Sequence, residues 1–441
     1  KFLSILLAIL MLAVMLPVTA MAEENYVMIS GIKGVENEKY ASFEAAYNAI
    51  KPKLEALCKS DAFGQGGTTA EEFDALFFNR DENGNATLTY TICGNIIYDE
   101  SNLANLLTFG RRASHYGNDR HLINFKFVGA NGRDSDTLTV NSEMTLPYEW
   151  WSEKTTTSIS FENLTITGSA PNGLRPTQAF FEGINFKVDN CKLEGIKIYN
   201  CSNVGGSYTI TNNIFDGTNA PQNAYAIHLQ GNETAPLTIN ISNNTISGYD
   251  RGINIDQKTA AATISNNNIS VKDTGRSCIQ LTRLASTKVE NNTMNLTGGN
   301  AITLHEELLN CAKPEITVSG NTINGTGYLI YDDSNGTFTN ENLNLTITKD
   351  NTVAKTVDTT QGVKDGVKHH LSEIVKTTVE NNVVPGGSTG GTIVIITPSE
   401  DTTPKTDDQK NPSTGANDMV AAAVALMAVS ALGAAVLTRK K

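Results

Sequence analysis

Cysteine is scarce in this chain: six residues in 441, Cys58, Cys93, Cys191, Cys201, Cys278 and Cys311, with no CxxC pair among them. A zinc-type thiolate site is therefore disfavoured. Cys191 and Cys278 fall at positions read as packed interior, where a thiol acts as a small apolar residue. One disulfide stays open, and the spacing does not name it. Basic runs are missing too. Against 46 acidic residues there are 34 basic ones, a net charge of −12, and no stretch of Lys or Arg long enough to follow a phosphate backbone. Nucleic acid is not an expected partner. Long apolar runs are confined to the two ends, and repeats of fixed length, helical or nonapeptide calcium-binding, are absent.

The ends read as addresses. Lys1 precedes an apolar run from Phe2 to Leu16, followed by Pro17 and the small-residue pattern Ala20-Met21-Ala22. This is the anatomy of a secretory signal peptide cut after Ala22; the alternative is a retained anchor helix. At the other end, NPSTG at 411–415 precedes an apolar stretch from Met419 to Leu437 and the basic tail Arg439-Lys440-Lys441. The arrangement resembles the cell-wall sorting signal of Gram-positive surface proteins, whose motif is LPxTG. The resemblance implies sortase cleavage between Thr414 and Gly415 and linkage of Thr414 to peptidoglycan. Asn411 stands where that family has Leu, which leaves the sortase class open. The alternative is a transmembrane C-terminus that stays in the membrane.

Between the ends lies a repeat. Copies of one pattern read FENLTITG at 161, VDNCKLEG at 188, ITNNIFDG at 210, ISNNTISG at 241, ISNNNISV at 264, VENNTMNL at 289 and VSGNTING at 318. The period is about 25 residues with variable insertions, which suits short strands better than helical repeats. The first and sixth letters are apolar throughout, as in Ile241 and Ile246. In an unbroken strand, residues five apart face opposite sides, so both reach one core only if the chain bends between them. The asparagines sit at that bend, and Asn tolerates the left-handed backbone region. The second asparagine recurs as Asn213, Asn244, Asn267, Asn292 and Asn321, which predicts a structural ladder of amides bonding from coil to coil. A further apolar run follows about ten residues later, as AIHL at 226, GINI at 252, CIQL at 278, AITL at 301 and LIYD at 329. Each coil thus holds three short strands.

This pattern resembles the right-handed parallel β-helix of the pectate-lyase-like superfamily. The expected fold class is all-β: a right-handed parallel β-helix solenoid with short helical caps at both ends, an N-terminal signal peptide and a C-terminal apolar helix. The expected organisation is a signal peptide at 1–22, an N-terminal helical cap region at 23–85, the β-helix at 86–353, and a C-terminal cap helix region at 354–384. A wall-spanning linker at 385–410 and the sorting signal at 411–441 follow. The caps rest on two apolar stripes, Phe43, Ala46, Tyr47, Ile50, Leu54 and Leu57, and Val363, Val367, Leu371, Ile374, Val375 and Val379. Pro52 is expected to kink the first, and Thr69 to Glu72 forms a capping box before Phe73. Open solenoid ends need such covers.

Candidate chemistry follows from the third strands. In the resembling enzymes polysaccharide lies beside this strand set. If Ile227, Ile253, Ile279, Ile302 and Ile330 face inward, then His228, Asn254, Gln280, Thr303 and Tyr331 face outward, polar and without a carboxylate. Glycoside hydrolysis needs two carboxyls about 5–9.5 Å apart. Beyond the strands come Gln230, Asp256, Thr282, His305 and Asp333, too far apart for that unless Asp250 approaches Asp256. Uronate β-elimination asks for less, a base and a cation, for which Arg251, Arg276 and Arg283 are candidates. GRRASHYGNDRH at 110–121 is a possible anion-binding loop or a solvated one, and Trp150-Trp151 are sugar platforms or packing. Asn79, Asp81 and Asn83 match the first spacings of a calcium loop, but Tyr90 replaces its closing Glu. Calcium is the one cofactor left open; a tight turn is the other reading. Asn-x-Ser/Thr sequons are by-products of the repeat.

The function expected from these residues is a cell-surface-anchored, Gram-positive wall protein that binds extracellular polysaccharide or host or plant glycan along a solenoid face, with weak or no catalysis. A polysaccharide lyase or glycoside hydrolase on the same scaffold is the alternative, with the lyase ahead, and a structural or protein-binding adhesin is the third. Expected partners are sortase, peptidoglycan and an extracellular glycan or host surface, and the chain is expected to be a monomer.

Overall fold

The structure, a computed structural model, describes residues 25–57, 79, 82, 86–98, 123–141, 144–146, 156–169, 174–177, 183–202, 206–231, 236–272, 276–334, 337–339, 341–348 and 350–359. The expectations at 1–22, Thr69 to Glu72, Asp81, Asn83, 110–121, Trp150-Trp151, 362–382 and 385–441, with Thr414 and Gly415, lie outside these residues. Among the described residues no helix is long and apolar enough to cross a membrane.

The repeat winds into a parallel β-helix. Its first ladder joins the strands that precede each bend. Of the twelve strands in that sheet, Lys39–Tyr40 and Tyr26–Ser30 pair antiparallel at one edge, and the remaining ten, from Ala86–Cys93 to Asn344–Ile347, run parallel. The second ladder holds the short strands after the bend, such as Ile214–Asp216, Thr245–Ser247 and Asn268–Ser270. The third holds Ile198–Ser202, Tyr225–Gly231, Arg251–Asp256 and Ser277–Arg283. Three short strands per coil is thus the rule, with a departure late in the helix. There Thr293–Leu304 and Thr322–Asp332 run unbroken through both the second and third ladders and merge them into one sheet. Glycines fit this stretch: a Cβ on Gly327, at φ 141°, would lie 1.8 Å from the Gly299 carbonyl oxygen.

The apolar pairs five residues apart all reach the interior. Phe161 and Ile166, Ile210 and Phe215, Ile241 and Ile246, and Val289 and Met294 are buried. The bend that permits this is left-handed backbone at the third letter of each copy: Asn163, Asn190, Asn212, Asn243, Asn266 and Asn291 have φ between 51° and 59°, and Gly320 takes φ 63° in the next coil. Asn and Gly bear that conformation at little cost, whereas a β-branched residue would not.

One residue on, the buried asparagines stack. The Oδ1 of Asn244 accepts from both the backbone N–H and the Nδ2 of Asn213, each at 3.0 Å, and Asn267 does the same for Asn244 at 3.0 and 2.9 Å. Each Nδ2 also donates to a first-ladder carbonyl, Asn244 to Ile210 at 2.8 Å. The chain of amides continues through Asn292 and Asn321 and ends on Asn351. At its other end Asn213 accepts from the backbone N–H of Cys191 at 2.8 Å. Every amide is satisfied away from water, as buried polar groups require.

The solenoid's first coils are closed by two devices. Only one was legible as a stripe, the helix Phe43–Leu57, capped by Ser42, whose Oγ accepts from the Ala45 N–H at 3.0 Å. The helix runs through Pro52, and Phe43, Ala46 and Ile50 are buried. The Phe43 ring lies 5.9 Å from Tyr90 and 6.5 Å from Phe127. Tyr90, Phe127 and Phe161 stack in register at 4.8 and 5.0 Å, the spacing of the strands that carry them. The second device is the antiparallel strand Tyr26–Ser30, which pairs with Ala86–Cys93 and covers its edge.

Candidate functional site

The third ladder carries the candidate residues, and its inward side explains its outward one. Ile198, Ile227, Ile253, Ile279, Ile302 and Ile330 stand in register and are buried. Before the last five of these stands a second buried residue, Ala226, Gly252, Cys278, Ala301 or Leu329, whereas Lys197, before Ile198, is half-buried. Two successive inward residues break the strict alternation of a strand. Space there is tight: a Cβ on Gly252 would meet the Cys278 carbonyl oxygen at 2.1 Å. Residues on both sides of the kink, Tyr225 and His228 for instance, consequently share the outer face.

His228, Asn254, Gln280, Thr303 and Tyr331 form one column in register, extended backward by Tyr199. Opposite the core does not mean open, however. Asn254 and Thr303 are only 4% and 6% exposed. They are covered by a hydrogen-bonded chain that the sequence did not reveal. Arg251 Nη1 donates to the Tyr225 hydroxyl at 2.8 Å, and that hydroxyl donates to Gln280 Oε1 at 2.9 Å, two coils away. Gln280 Nε2 donates to Thr282 Oγ1 at 3.1 Å, and Thr282 donates to Asn254 Oδ1 at 2.8 Å. Further along, Thr303 Oγ1 accepts from Asn300 Nδ2 at 3.0 Å and shares a 2.5 Å contact with Ser277 Oγ. Tyr331 packs beside Tyr328, ring centroids 5.9 Å apart.

Aromatic rings concentrate at one end of this face. His228 lies between Tyr199 and Tyr225, with centroids 5.2 and 5.0 Å away. Lys197 and Arg251 sit over the Tyr199 and Tyr225 rings at 5.3 and 4.9 Å, cation–π geometry. Burial pushes the His228 imidazole down to about 4, with the cations of Lys197 and Arg251 adding to that and Asp256 opposing it. It is neutral at pH 7 and a weak base.

The charged candidates are engaged with one another. At the end of the strands a register shift places Arg283, not Thr282, opposite Asp256. Arg283 Nε and Asp256 Oδ1 are 2.5 Å apart, and Glu307 lies 3.3 Å from the same guanidinium. Asp333 stands 3.6 Å from His305 Nε2. At the other end of the strands, Asp250 accepts from the Asn223 backbone N–H and pairs with Lys272 at 3.4 Å, and Arg276 donates to Asn223 Oδ1 at 3.1 Å. Asp250 and Asp256 thus sit at opposite ends of one strand, roughly 20 Å of extended chain apart, with separate cationic partners. That is not the spacing of a paired-acid hydrolase.

The remaining candidates fall elsewhere. Asn79 gives its Nδ2 to Glu36 Oε1 at 2.7 Å, so its amide ties a loop to the N-terminal region. Among the described residues no cluster of His, Cys, Asp and Glu is arranged to hold a metal ion. Cys93, Cys191 and Cys278 are buried free thiols, and burial raises those of Cys191 and Cys278 to about 12, which makes them unreactive.

Tyr225 and Tyr328 are the residues of this face that strand alternation alone misses. Their signal was the small or buried residue before each isoleucine, which marks the kink. Neither curated proteins nor solved structures yielded a match to the chain. The family model described as the right handed beta helix region matches residues 176–384, and with the parallel ladders it makes the fold a right-handed parallel β-helix.

Proposed function

We propose that this protein is a surface-anchored β-helix that binds extracellular polysaccharide along the outer face of the third ladder, without strong catalysis. The carrying observation is the run from Arg251 through Tyr225, Gln280 and Thr282 to Asn254, set against the rings of Tyr199, Tyr225 and His228. Hydroxyl and amide groups held in fixed positions, next to aromatic faces, suit sugar hydroxyls and the apolar faces of sugar rings. The carboxylates that hydrolysis would use are instead paired with Arg283 and Lys272. Secretion and wall attachment complete the proposal, supported by the N-terminal apolar run and the NPSTG segment.

A glycan array probed with the secreted chain tests the reading. Binding that falls about tenfold in Tyr225→Ala, with the unfolding midpoint little changed, is the expected result; tenfold corresponds to about 1.4 kcal/mol. An uronate lyase is the competing reading, favoured by Arg251, whose Nε is buried without a hydrogen-bond partner among protein atoms. It predicts unsaturated products from acidic glycans and their loss in Arg251→Gln. Absence of any glycan binding would remove both.

A further inference from the structure

The second ladder presents a different surface. Its later strands read TIS at Thr245–Ser247, NIS at Asn268–Ser270, and TMNLT and TINGT in the opening halves of Thr293–Leu304 and Thr322–Asp332. Ile246, Ile269, Met294, Leu296 and Ile323 point inward, and the residues on the outer side are Ser, Thr or Asn, together with an exposed Gly325. None is charged, in a chain where 18% of residues are. That neutrality is local. In the two preceding coils the same ladder carries the Lys192–Glu194 pair and Asp216, and the neighbouring first ladder carries a Lys126–Glu162–Lys187 chain.

The neutral patch is also fixed in place. Asn324 Nδ2 donates to Asn295 Oδ1 at 3.1 Å, and Asn295 Nδ2 donates to Asn268 Oδ1 at 3.1 Å and to Ser270 Oγ at 3.0 Å. These amides lie outside the core, yet they are ordered coil to coil as the buried ladder is. Threonine adds hydroxyls with restricted rotation and a methyl beside each. With a strand spacing of about 4.8 Å and a residue rise of about 3.3 Å, four strands of three to five residues give a surface about 14 Å long and roughly 7 to 13 Å wide. The two long strands leave this surface for the third ladder through Gly298, Gly325 and Gly327, all at positive φ, with a register shift between Thr297 and Gly299.

We propose that this plane is a second carbohydrate-contact surface, separate from the third-ladder face, and that it takes a neutral polysaccharide in its ordered, insoluble form. An uncharged surface offers an acidic glycan or a nucleic acid no compensation for its desolvated charge, whereas uncharged hydroxyls lose nothing by it. Donors, acceptors and methyl groups at a fixed repeat match a partner whose own hydroxyls and C–H faces repeat. Order on both sides lowers the entropy lost on contact. The proposal does not rest on the third-ladder reading.

Retention of the full secreted chain on microcrystalline cellulose and on insoluble chitin tests it. Expected are retention on at least one solid, insensitivity to molar salt, and a drop of at least about tenfold in either Ser247→Arg or Thr326→Arg, since the new cation must be desolvated without a partner. Both positions are exposed, so the variants should unfold at the wild-type midpoint, which circular dichroism checks. Tyr225→Ala should keep its grip on the solid while losing soluble glycans. Four results would overturn the assignment: no retention on either solid, retention abolished by salt, retention unchanged by both arginine variants, or retention lost only in Tyr225→Ala.

Discussion

At the bend between the first and second ladders, coil after coil repeats one asparagine in one role; on the outer face of the third ladder no two neighbouring coils offer the same side chain. The bend column reads Asn213, Asn244, Asn267, Asn292, Asn321 and Asn351, each amide bonded to the next. The face column reads Tyr199, His228, Asn254, Gln280, Thr303 and Tyr331. Both are polar and both stack at strand spacing. A side chain repeated in the interior bonds its own copies and the adjacent backbone, and so builds scaffold. A varied column must find partners sideways, as Tyr225 does with Gln280, and so becomes a specific surface.

The comparison breaks most visibly at Asn244→Ala. The substitution deprives the Asn213 N–H and Nδ2 of their acceptor and the Ile210 carbonyl of its donor, all in the dry interior. At about 1–3 kcal/mol for each orphaned group, the loss should reach about 3 kcal/mol or more. Urea unfolding should show it, while the proposed glycan binding should be unchanged in the fraction still folded. A loss of binding at full stability would mean that the bend is part of the site.

Arg283→Gln makes the matching cut at the edge of the face. It leaves Asp256, almost buried, without its 2.5 Å partner, while Glu307 loses a neighbour it can spare to solvent. Fully buried pairs cost about 3–5 kcal/mol to break, and this one retains some water access, so about 2–3 kcal/mol is expected by thermal unfolding. If Arg283 held substrate rather than Asp256, stability would barely move.

His228 gives the face a pH dependence that the asparagine bend cannot have. Its folded value, about 4, lies below the ordinary 6.5, so the unfolded chain takes up the proton first as pH falls. Stability contributed by the neutral imidazole is whole above pH 6.5 and is lost as pH drops toward about 4. Thermal midpoints of wild type and His228→Asn, measured across that window, should converge on acidification. Parallel curves would show that His228 is not held neutral by the two tyrosines.

The bend was legible in the sequence because it repeats. Apolar letters five apart demanded a turn, and a residue able to turn left-handed stood in the gap, Gly320 included. Asn351 escaped because its coil, reading TKDNTV from Thr348, lacks the apolar first letter. The face was half legible. The isoleucine register gave its column, but alternation assigned Thr282 where a bulge puts Arg283, and it overlooked Tyr225 because the kink at Ala226 turns two successive residues inward. Irregularities of that kind are set by packing between coils, and no single coil's sequence carries them. The antiparallel strand Tyr26–Ser30 was missed for a related reason: it is too short to announce itself, and its Val27 and Ile29 gain meaning only against the edge they cover.

The finest cut separates the two asparagines of a single bend. Asn243 is exposed and left-handed at φ 57°, and its role is backbone conformation alone, whereas Asn244 beside it is buried and bonded. Asn243→Gly should therefore change stability by no more than about 0.5 kcal/mol, since glycine enters that region freely and its extra unfolded-state entropy is the main cost. Gly320, at φ 63°, already holds the same place three copies later. Asn243→Val should instead cost about 1–2 kcal/mol, the penalty of a β-branched residue forced left-handed. Equal losses in the two variants would show that the Asn243 side chain, and not its backbone, supports the coil.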